Sequence, residues 1–140
     1  MYGLPNSLKM LSPAEEQVML AVWRCTPPAT GAAIAKELVH TGWASTTRLT
    51  LLTRLEQKGW LQKEKRPGGT VYLPKITLRA YRVYTARERL DTVFDGDLSA
   101  LLSALLSEHR PGLPQLEAAR ALLQQQMDAQ IEYDWYDPYG

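Results

Sequence analysis

The chain has 140 residues, of which 45% are hydrophobic and 22% charged, with a net charge of +1; this is typical of a folded domain with an appendage and excludes a disordered chain. No stretch approaches the ~20 uninterrupted apolar residues of a membrane span, and the one cysteine, Cys25, excludes an internal disulfide. Because the N-terminus lacks the apolar block of a secretory signal, we expect a cytoplasmic protein with no membrane partner.

The charge is distributed unevenly along the chain. Residues 1–90 hold 14 Lys and Arg against 6 Asp and Glu, a charge of +8, whereas residues 91–140 hold 2 against 9, a charge of −7. A basic N-terminal part is typical of polyanion binding, although a solvated charged surface without a partner is the alternative. The acidic part then has a separate role.

The first predicted helix has a strong start signal. Ser12 is a helix cap, Pro13 suits the first helical position, and Glu15 completes a capping box. The helix is expected to end before Pro27-Pro28. Its apolar residues at helical spacing, which we expect on the buried face, are Val18, Met19, Val22 and Trp23.

Two further short helices are expected to follow. Thr30 is the candidate cap of the second helix, and His40-Thr41-Gly42 is a turn. Either Ser45 or Thr46 caps the third helix, which ends at Lys58-Gly59. The residues expected on the buried faces of these two helices are Ile34, Leu38, Val39, Leu51, Leu52 and Leu55.

A basic β-hairpin is predicted next. Residues 60–66 alternate in polarity, residues 67–69 (Pro-Gly-Gly) form the turn, and residues 70–73 alternate again, with Val71 and Leu73 on one side. Pro74 ends the second strand because it has no N–H to donate. Three helices and a hairpin predict a winged helix-turn-helix domain over residues 1–77, mainly α with a small β-hairpin wing.

The third helix is predicted to present a polar face to DNA. Threonine is unfavourable in helices, so threonines opposite the leucine face indicate that hydroxyl and methyl groups are needed to contact phosphates and base edges. We expect Thr47 and Arg48 nearest the bases and Arg54 nearer a phosphate. The full set of predicted DNA contacts is Ser45, Thr46, Thr47, Arg48, Thr50, Arg54, Lys65, Arg66 and Thr70.

Three amphipathic helices are predicted over residues 78–94, 98–106 and 116–127. The leucines of these helices present more apolar surface than one short segment can bury by itself, which favours a helical dimerisation domain over residues 78–128. Packing on the chain's own DNA-binding domain is the alternative. Residues 129–140 form an acidic aromatic tail that is either disordered or docked on the dimer. The predicted dimerisation residues are Leu90, Phe94, Leu98, Leu101, Leu102, Leu105, Leu106, Leu116 and Leu123.

Catalysis has no support in the sequence. No His, Cys or Asp cluster has metal-ligand spacing, no nucleophile has a base at a plausible distance, and Gly68-Gly69 lacks the strand-then-helix context of a phosphate loop. We therefore expect no enzyme and no cofactor. The remaining alternative is a winged helix that serves as a protein-interaction module in a larger assembly without sequence-specific DNA binding, which a mobility shift on double-stranded DNA would distinguish.

An ordered set of motifs resembles the penicillinase-repressor and methicillin-resistance-repressor family of bacterial transcription regulators. The motifs are Leu11-Ser12-x-Ala14-Glu15-x-x-Val18-Met19-x-x-Val22-Trp23, Trp43-x-x-x-Thr47, Thr50-Leu51-Leu52-x-Arg54-Leu55-x-x-Lys58-Gly59-x-Leu61, Tyr72-x-Pro74, Phe94-Asp95-Gly96 and Ser99-x-Leu101. The resemblance implies a homodimeric repressor that binds a palindromic DNA operator until a signal, from a sensor protease or another inducer, removes it.

The chain departs from the family pattern at three places. Arg48 replaces the usual Val or Ile after the first recognition-helix threonine, and we expect its long side chain to reach toward DNA. Leu102-Ser103-Ala104-Leu105 stands where classical members carry the Asn-Phe bond that the sensor protease cuts. Copper-responsive members carry paired C-terminal cysteines, and no cysteine follows Cys25, so a cysteine-bound copper switch is excluded.

Overall fold

The computed structural model describes residues 10–135 and has the predicted fold class, mainly α with a small antiparallel sheet. Two compact units divide the chain, one extending to Asp91 and one starting at Thr92. A short 3₁₀ turn, Val39–Thr41, separates the second and third helices. The elements are α1 Pro13–Arg24, β1 Ala29–Thr30, α2 Gly31–Glu37, α3 Ser45–Gln57, β2 Leu61–Arg66, β3 Gly69–Pro74, α4 Leu78–Val93, α5 Leu98–Glu108 and α6 Leu113–Trp135.

The predicted capping box at the start of α1 is confirmed. The Ser12 backbone N–H donates to Glu15 Oε1 at 2.7 Å, and the Glu15 N–H donates to Ser12 Oγ at 3.2 Å. These reciprocal bonds satisfy two of the donors that every helix start leaves open. The Thr30 cap of α2 is confirmed in the same way, since its Oγ1 accepts from the Ala33 N–H at 3.1 Å.

The helices of the first unit share one core, which also receives Trp60, Leu61 and Tyr72 from the sheet region. Burial of each large apolar side chain contributes about 1.5–3 kcal/mol relative to exposure. The predicted core residues that are buried are Val18, Met19, Val22, Ile34, Leu38, Leu51, Leu52 and Leu55.

Two predictions for the second and third helices are wrong. Val39 is 75% exposed because it begins the 3₁₀ turn, whose tighter winding takes it off the buried stripe of α2. Neither Ser45 nor Thr46 caps α3, because the cap position is Ala44, which makes no side-chain bond to the helix. The Thr41 hydroxyl instead organises this turn, accepting from the Trp43 N–H and donating to the Leu38 carbonyl.

A Schellman motif ends α3 where the sequence predicted a glycine stop. The Gly59 N–H donates to the Glu56 carbonyl and the Trp60 N–H donates to the Leu55 carbonyl. Gly59 adopts a φ of 84°, which favours glycine because a Cβ is strained there. The motif turns the chain directly from α3 into β2 and buries Trp60 at the junction.

The sheet has three strands in the order β1-β3-β2, all antiparallel. The hairpin pairs Lys65 with Thr70 and Arg66 with Gly69 across the turn. The two-residue strand β1, which the sequence analysis missed, pairs with β3 on its other side. Tyr72 rather than Leu73 enters the core cluster, and Val71 is buried on the alternate side of the strand.

Helices α4, α5 and α6 lie where three C-terminal helices were predicted; α4 and α5 agree to within two residues, whereas α6 begins three residues earlier and ends eight residues later. The first unit extends to Asp91, and Tyr81 of α4 belongs to its winged-helix core. In the second unit, Asp97 caps α5 by accepting from the Ala100 N–H. Helix α6 runs beyond residue 128 to Trp135, so the first part of the predicted tail is helical; residues 136–140, and the side chains expected to dock, lie outside the described residues.

Candidate nucleic-acid interface

The outer face of α3 forms an open polar groove of about 260 Å³. Its lining residues are Thr46, Thr47, Thr50, Leu51 and Arg54. Four of the predicted DNA contacts are thus brought together on one side of the helix, while Leu52 and Leu55 are buried on the other. Helical spacing explains the grouping, because residues three, four and seven apart share a face.

The groove threonines offer both polar and apolar contacts. The Thr50 hydroxyl donates to the Thr46 carbonyl one turn earlier at 2.9 Å, which fixes its rotamer and leaves its oxygen able to accept. Thr46, Thr47, Thr50 and Arg54 are exposed. The surface therefore presents hydroxyls, methyls and one guanidinium to a partner.

Arg48 does not line this groove. Its guanidinium Nη1 donates to the Trp43 carbonyl at 3.1 Å, and the residue is half-buried. Position 48 lies four residues before Leu52 and seven before Leu55. It therefore lies at the start of the buried stripe of α3 and not on the groove face that carries Thr47. The side chain thus braces the turn before α3 against the helix, in contrast to the expected reach toward DNA.

The wing carries exposed cationic side chains. Lys65 and Arg66 are exposed at the end of β2, and Thr70, paired with Lys65, is half-buried. Glu64 accepts from Arg66, with Nε to Oε1 at 3.2 Å and Nη2 to Oε2 at 3.5 Å. The charge of the Arg66 guanidinium is therefore partly neutralised within the wing. The Lys65 ammonium is more available to a partner.

A second open groove of about 470 Å³ lies between the wing and the start of α2. Arg66 and Thr70 border it on the wing side, and Thr30, Gly31 and Ala32 border it on the helix side. The pairing of β1 with β3 holds these two sides together. The wing and the helix-turn-helix therefore belong to one continuous surface.

A buried ion pair supports the rear of α3, and the sequence analysis missed it. Lys58 Nζ lies 2.6 Å from Glu15 Oε1, and the Glu15 side chain is 2% exposed. Burial by itself raises the pKa of Glu15, but hydrogen bonds from Lys58 and Ser12 outweigh it and hold that pKa below its ordinary value. No local pattern in the sequence indicates this pair, because Glu15 and Lys58 are 43 residues apart.

Metal binding, membrane insertion and thiol chemistry have no support in the described part of the chain. Within residues 10–135, no three His, Cys, Asp or Glu side chains are grouped so that they could hold a metal ion. None of the described helices is long and apolar enough to cross a membrane. Burial, and secondarily the Glu37 charge, raise the pKa of the Cys25 thiol, which disfavours the reactive thiolate.

The sequence profile of the penicillinase repressor family matches residues 11–126. The chain belongs to the penicillinase repressor family. It is a DNA-binding transcriptional repressor, and its family is not a class of enzymes. The sequence-based identification is thereby confirmed, and the α3 groove and the wing of this repressor are its candidate DNA-contacting surfaces.

Solved structures of other regulators are similar to the repressor. The monomeric form of BlaI from Bacillus licheniformis, in complex with the blaP half-operator, is 35% identical over 53% of this chain and 90% of that chain, with a TM-score of 0.46. The regulator Tm0710 from Thermotoga maritima is 17% identical over 90% and 80%, with a TM-score of 0.43. PcaV from Streptomyces coelicolor, in complex with its natural ligand, is 16% identical over 89% and 80%, with a TM-score of 0.42. No curated protein matches the chain.

Proposed function

We propose that the chain acts in the cytoplasm as a homodimeric repressor that binds a palindromic operator. The observation that carries this proposal is the exposed groove on α3, in which Thr46, Thr47, Thr50 and Arg54 converge. A B-form major groove is ~12 Å wide and admits one helix. Helix α3 enters it, and residues 1–77 supply the DNA contacts.

Within this complex the groove residues have different tasks. Thr47 lies in the first turn of α3, the part that approaches base edges in helix-turn-helix docking, and its hydroxyl and methyl discriminate bases. Ser45 and Thr46 lie beside it at the helix start. Arg54 is two turns further along and neutralises a phosphate, which positions the helix without reading sequence.

The wing contacts the DNA backbone beside the recognition helix. Lys65 and Arg66 approach phosphates, and Thr70 supports them from the paired strand. The +8 charge of residues 1–90 supports this assignment. Arg48 acts indirectly, because its bond to the Trp43 carbonyl holds the turn from which α3 starts.

Dimerisation through residues 78–128 is supported by apolar side chains that are exposed to solvent in the single chain. Leu98, Leu105, Leu106, Leu116 and Leu123 are 40–57% exposed, and no described residue of α5 or α6 is buried. Leu90, Phe94, Leu101 and Leu102 are half-buried. A second copy covers such a surface by two-fold symmetry, and that symmetry matches a palindrome.

The test is selection of bound duplexes from a random double-stranded library, followed by affinity measurements. We expect an inverted repeat and two chains per duplex. Thr47→Val removes one hydroxyl and is expected to change the preferred base at one position of each half-site, whereas Thr26→Val, a matched exposed threonine outside the groove, leaves the repeat unchanged. Recovery of no common sequence would favour the protein-interaction module instead.

A further inference from the structure

Helix α4 is anchored to the winged-helix core chiefly by Tyr81, with the partly buried Ala80 packed beside it. Among the described residues of α4, Tyr81 is the buried one, at 8% exposure. Its ring centroid lies 5.4 Å from that of Trp23 and 5.5 Å from that of Trp60, the latter at an interplanar angle of 82°. Tilted and edge-to-face arrangements of this kind are attractive and directional.

A polar contact fixes the orientation of this ring. The Tyr81 hydroxyl donates to Glu16 Oε2 in the first turn of α1. The Trp23 Nε1–H donates to the Ile76 carbonyl at 3.0 Å, just before α4 begins. Burial, and then Glu16, raise the pKa of Tyr81, so the hydroxyl stays a donor at neutral pH. Helix α1 thus holds the start of α4 at two points.

The direction in which α4 leaves the core matters for a dimer. From Tyr81 to Val93 the helix rises about 18 Å. A tilt of about 10° at the anchor displaces the far end by about 3 Å over that length, which is close to the ~3.4 Å rise of one base-pair step. Because a two-fold symmetric dimer has two such anchors, about half that tilt at each Tyr81 changes the separation of its two recognition helices by one base-pair step.

We propose that Tyr81 and Glu16 are positioning residues that set the half-site spacing the repressor accepts. The proposal rests on the homodimeric, palindrome-binding function given above. Neither side chain lines the α3 groove, so their role is separable from base reading. The hydroxyl-to-carboxylate bond adds a polar constraint to the aromatic contacts, because it ties the Tyr81 ring to one oxygen of Glu16 in α1.

The experiment compares operators whose half-sites are moved apart or together by one and two base pairs, and an isolated half-site. Tyr81→Phe keeps the packed ring and removes the hydroxyl, and Glu16→Ala removes its acceptor. The matched control is Tyr84→Phe, which removes a hydroxyl three residues along the same helix whose contact is the Met10 sulfur. Glu16→Gln restores an acceptor and serves as the conservative rescue.

For the wild type we expect a loss of about tenfold in affinity for a one-base-pair change in spacing, comparable to one mismatched base pair. Tyr81→Phe and Glu16→Ala should reduce that loss to about threefold or less while half-site affinity stays within about twofold. Tyr84→Phe and Glu16→Gln should keep the wild-type spacing profile. Unchanged spacing profiles in Tyr81→Phe and Glu16→Ala would overturn the inference.

An equal fall in half-site and full-site affinity in Tyr81→Phe and Glu16→Ala would overturn the inference as well, because it would show that Tyr81 only stabilises the fold. A wild type that binds a full palindrome no better than a half-site contradicts the proposed homodimeric function, and the inference fails with it. Sedimentation of the free wild type distinguishes that outcome, since it reports the oligomeric state without DNA.

Discussion

The Lys58 ammonium at the end of α3 lies 2.6 Å from the Glu15 carboxylate in the first turn of α1. Glu15 also completes the capping box with Ser12, so one carboxylate serves both the start of α1 and the end of α3. Its second oxygen, Oε2, is buried without a hydrogen bond in the structure. The pair therefore depends on Lys58 to compensate a buried charge.

We expect Lys58→Met to destabilise the fold by about 2–3 kcal/mol. Loss of one partner of a buried pair costs roughly 3–5 kcal/mol, and the value here is smaller because water reaches Lys58. Urea unfolding measures the change. A double variant, Glu15→Gln with Lys58→Met, removes the stranded charge and should recover part of the loss; equal loss in both variants would contradict the electrostatic explanation.

The same pair predicts a pH dependence. The folded-state pKa of Glu15 is lowered, so its stabilising contribution is complete above the ordinary Glu pKa and is lost as the pH falls through the lowered folded value. In Lys58→Met, burial without the cation raises that pKa. The difference in unfolding free energy between the two proteins should be largest near neutral pH and narrow in acid; a constant difference would refute this account.

Arg48→Ala is expected to weaken operator binding without changing base preference. The substitution removes the bond to the Trp43 carbonyl and loosens the turn before α3, but it removes no side chain from the groove. Arg54→Ala should weaken specific and nonspecific duplexes alike, as loss of a phosphate contact does. Binding to single-base operator variants, with Arg24→Ala as a charge-matched control, measures both. A changed preference at one base pair in Arg48→Ala would show that this arginine moves into the groove on binding.

Substitution of Lys65 and Arg66 by Ala should weaken all duplexes about equally. Each lost phosphate contact reduces the slope of log affinity against log salt by about 0.9. Binding isotherms at several salt concentrations give that slope. The control is Arg24→Ala with Arg110→Ala, which removes two exposed charges outside the wing and should leave the slope unchanged. A selective loss for one sequence would mean that the wing reads bases.

Leu105→Asp should dissociate the homodimer while the chain stays folded. Leu105 is 57% exposed in the single chain, so the aspartate is solvated there, but in a dimer it becomes a buried, unpaired charge. An increase of about 100-fold in the dimer dissociation constant, measured by sedimentation, corresponds to a few kcal/mol. Ser103→Asp, an exposed position on the same helix, is the control. A wild type that is monomeric at micromolar concentration would contradict the dimer.

Local signals made several elements predictable from sequence alone. Ser12 and Glu15 bond to backbone groups within three residues, and the stop at Gly59 depends on a glycine that accepts a positive φ. The groove on α3 was predictable for the same reason, since helical periodicity alone places Thr47, Thr50 and Arg54 on one face. Such features involve few residues and no distant partner.

Other features were decided only by the tertiary structure. Lys58 and Glu15 are 43 residues apart, and Tyr81 and Glu16 are 65 apart, so no local pattern indicates either pair. Strand β1 exists because β3 supplies its hydrogen-bond partners. Arg48 has the sequence position of a DNA contact, yet its guanidinium donates to the Trp43 carbonyl five residues earlier, because the turn before α3, which helical periodicity does not describe, brings the two groups together. Sequence therefore determines where helices start, where they stop and which of their faces are polar. Contacts in the folded chain determine which charged side chains remain free for DNA. The physical reason is that a charge which is buried or already hydrogen-bonded is satisfied by whichever group the packed chain places beside it.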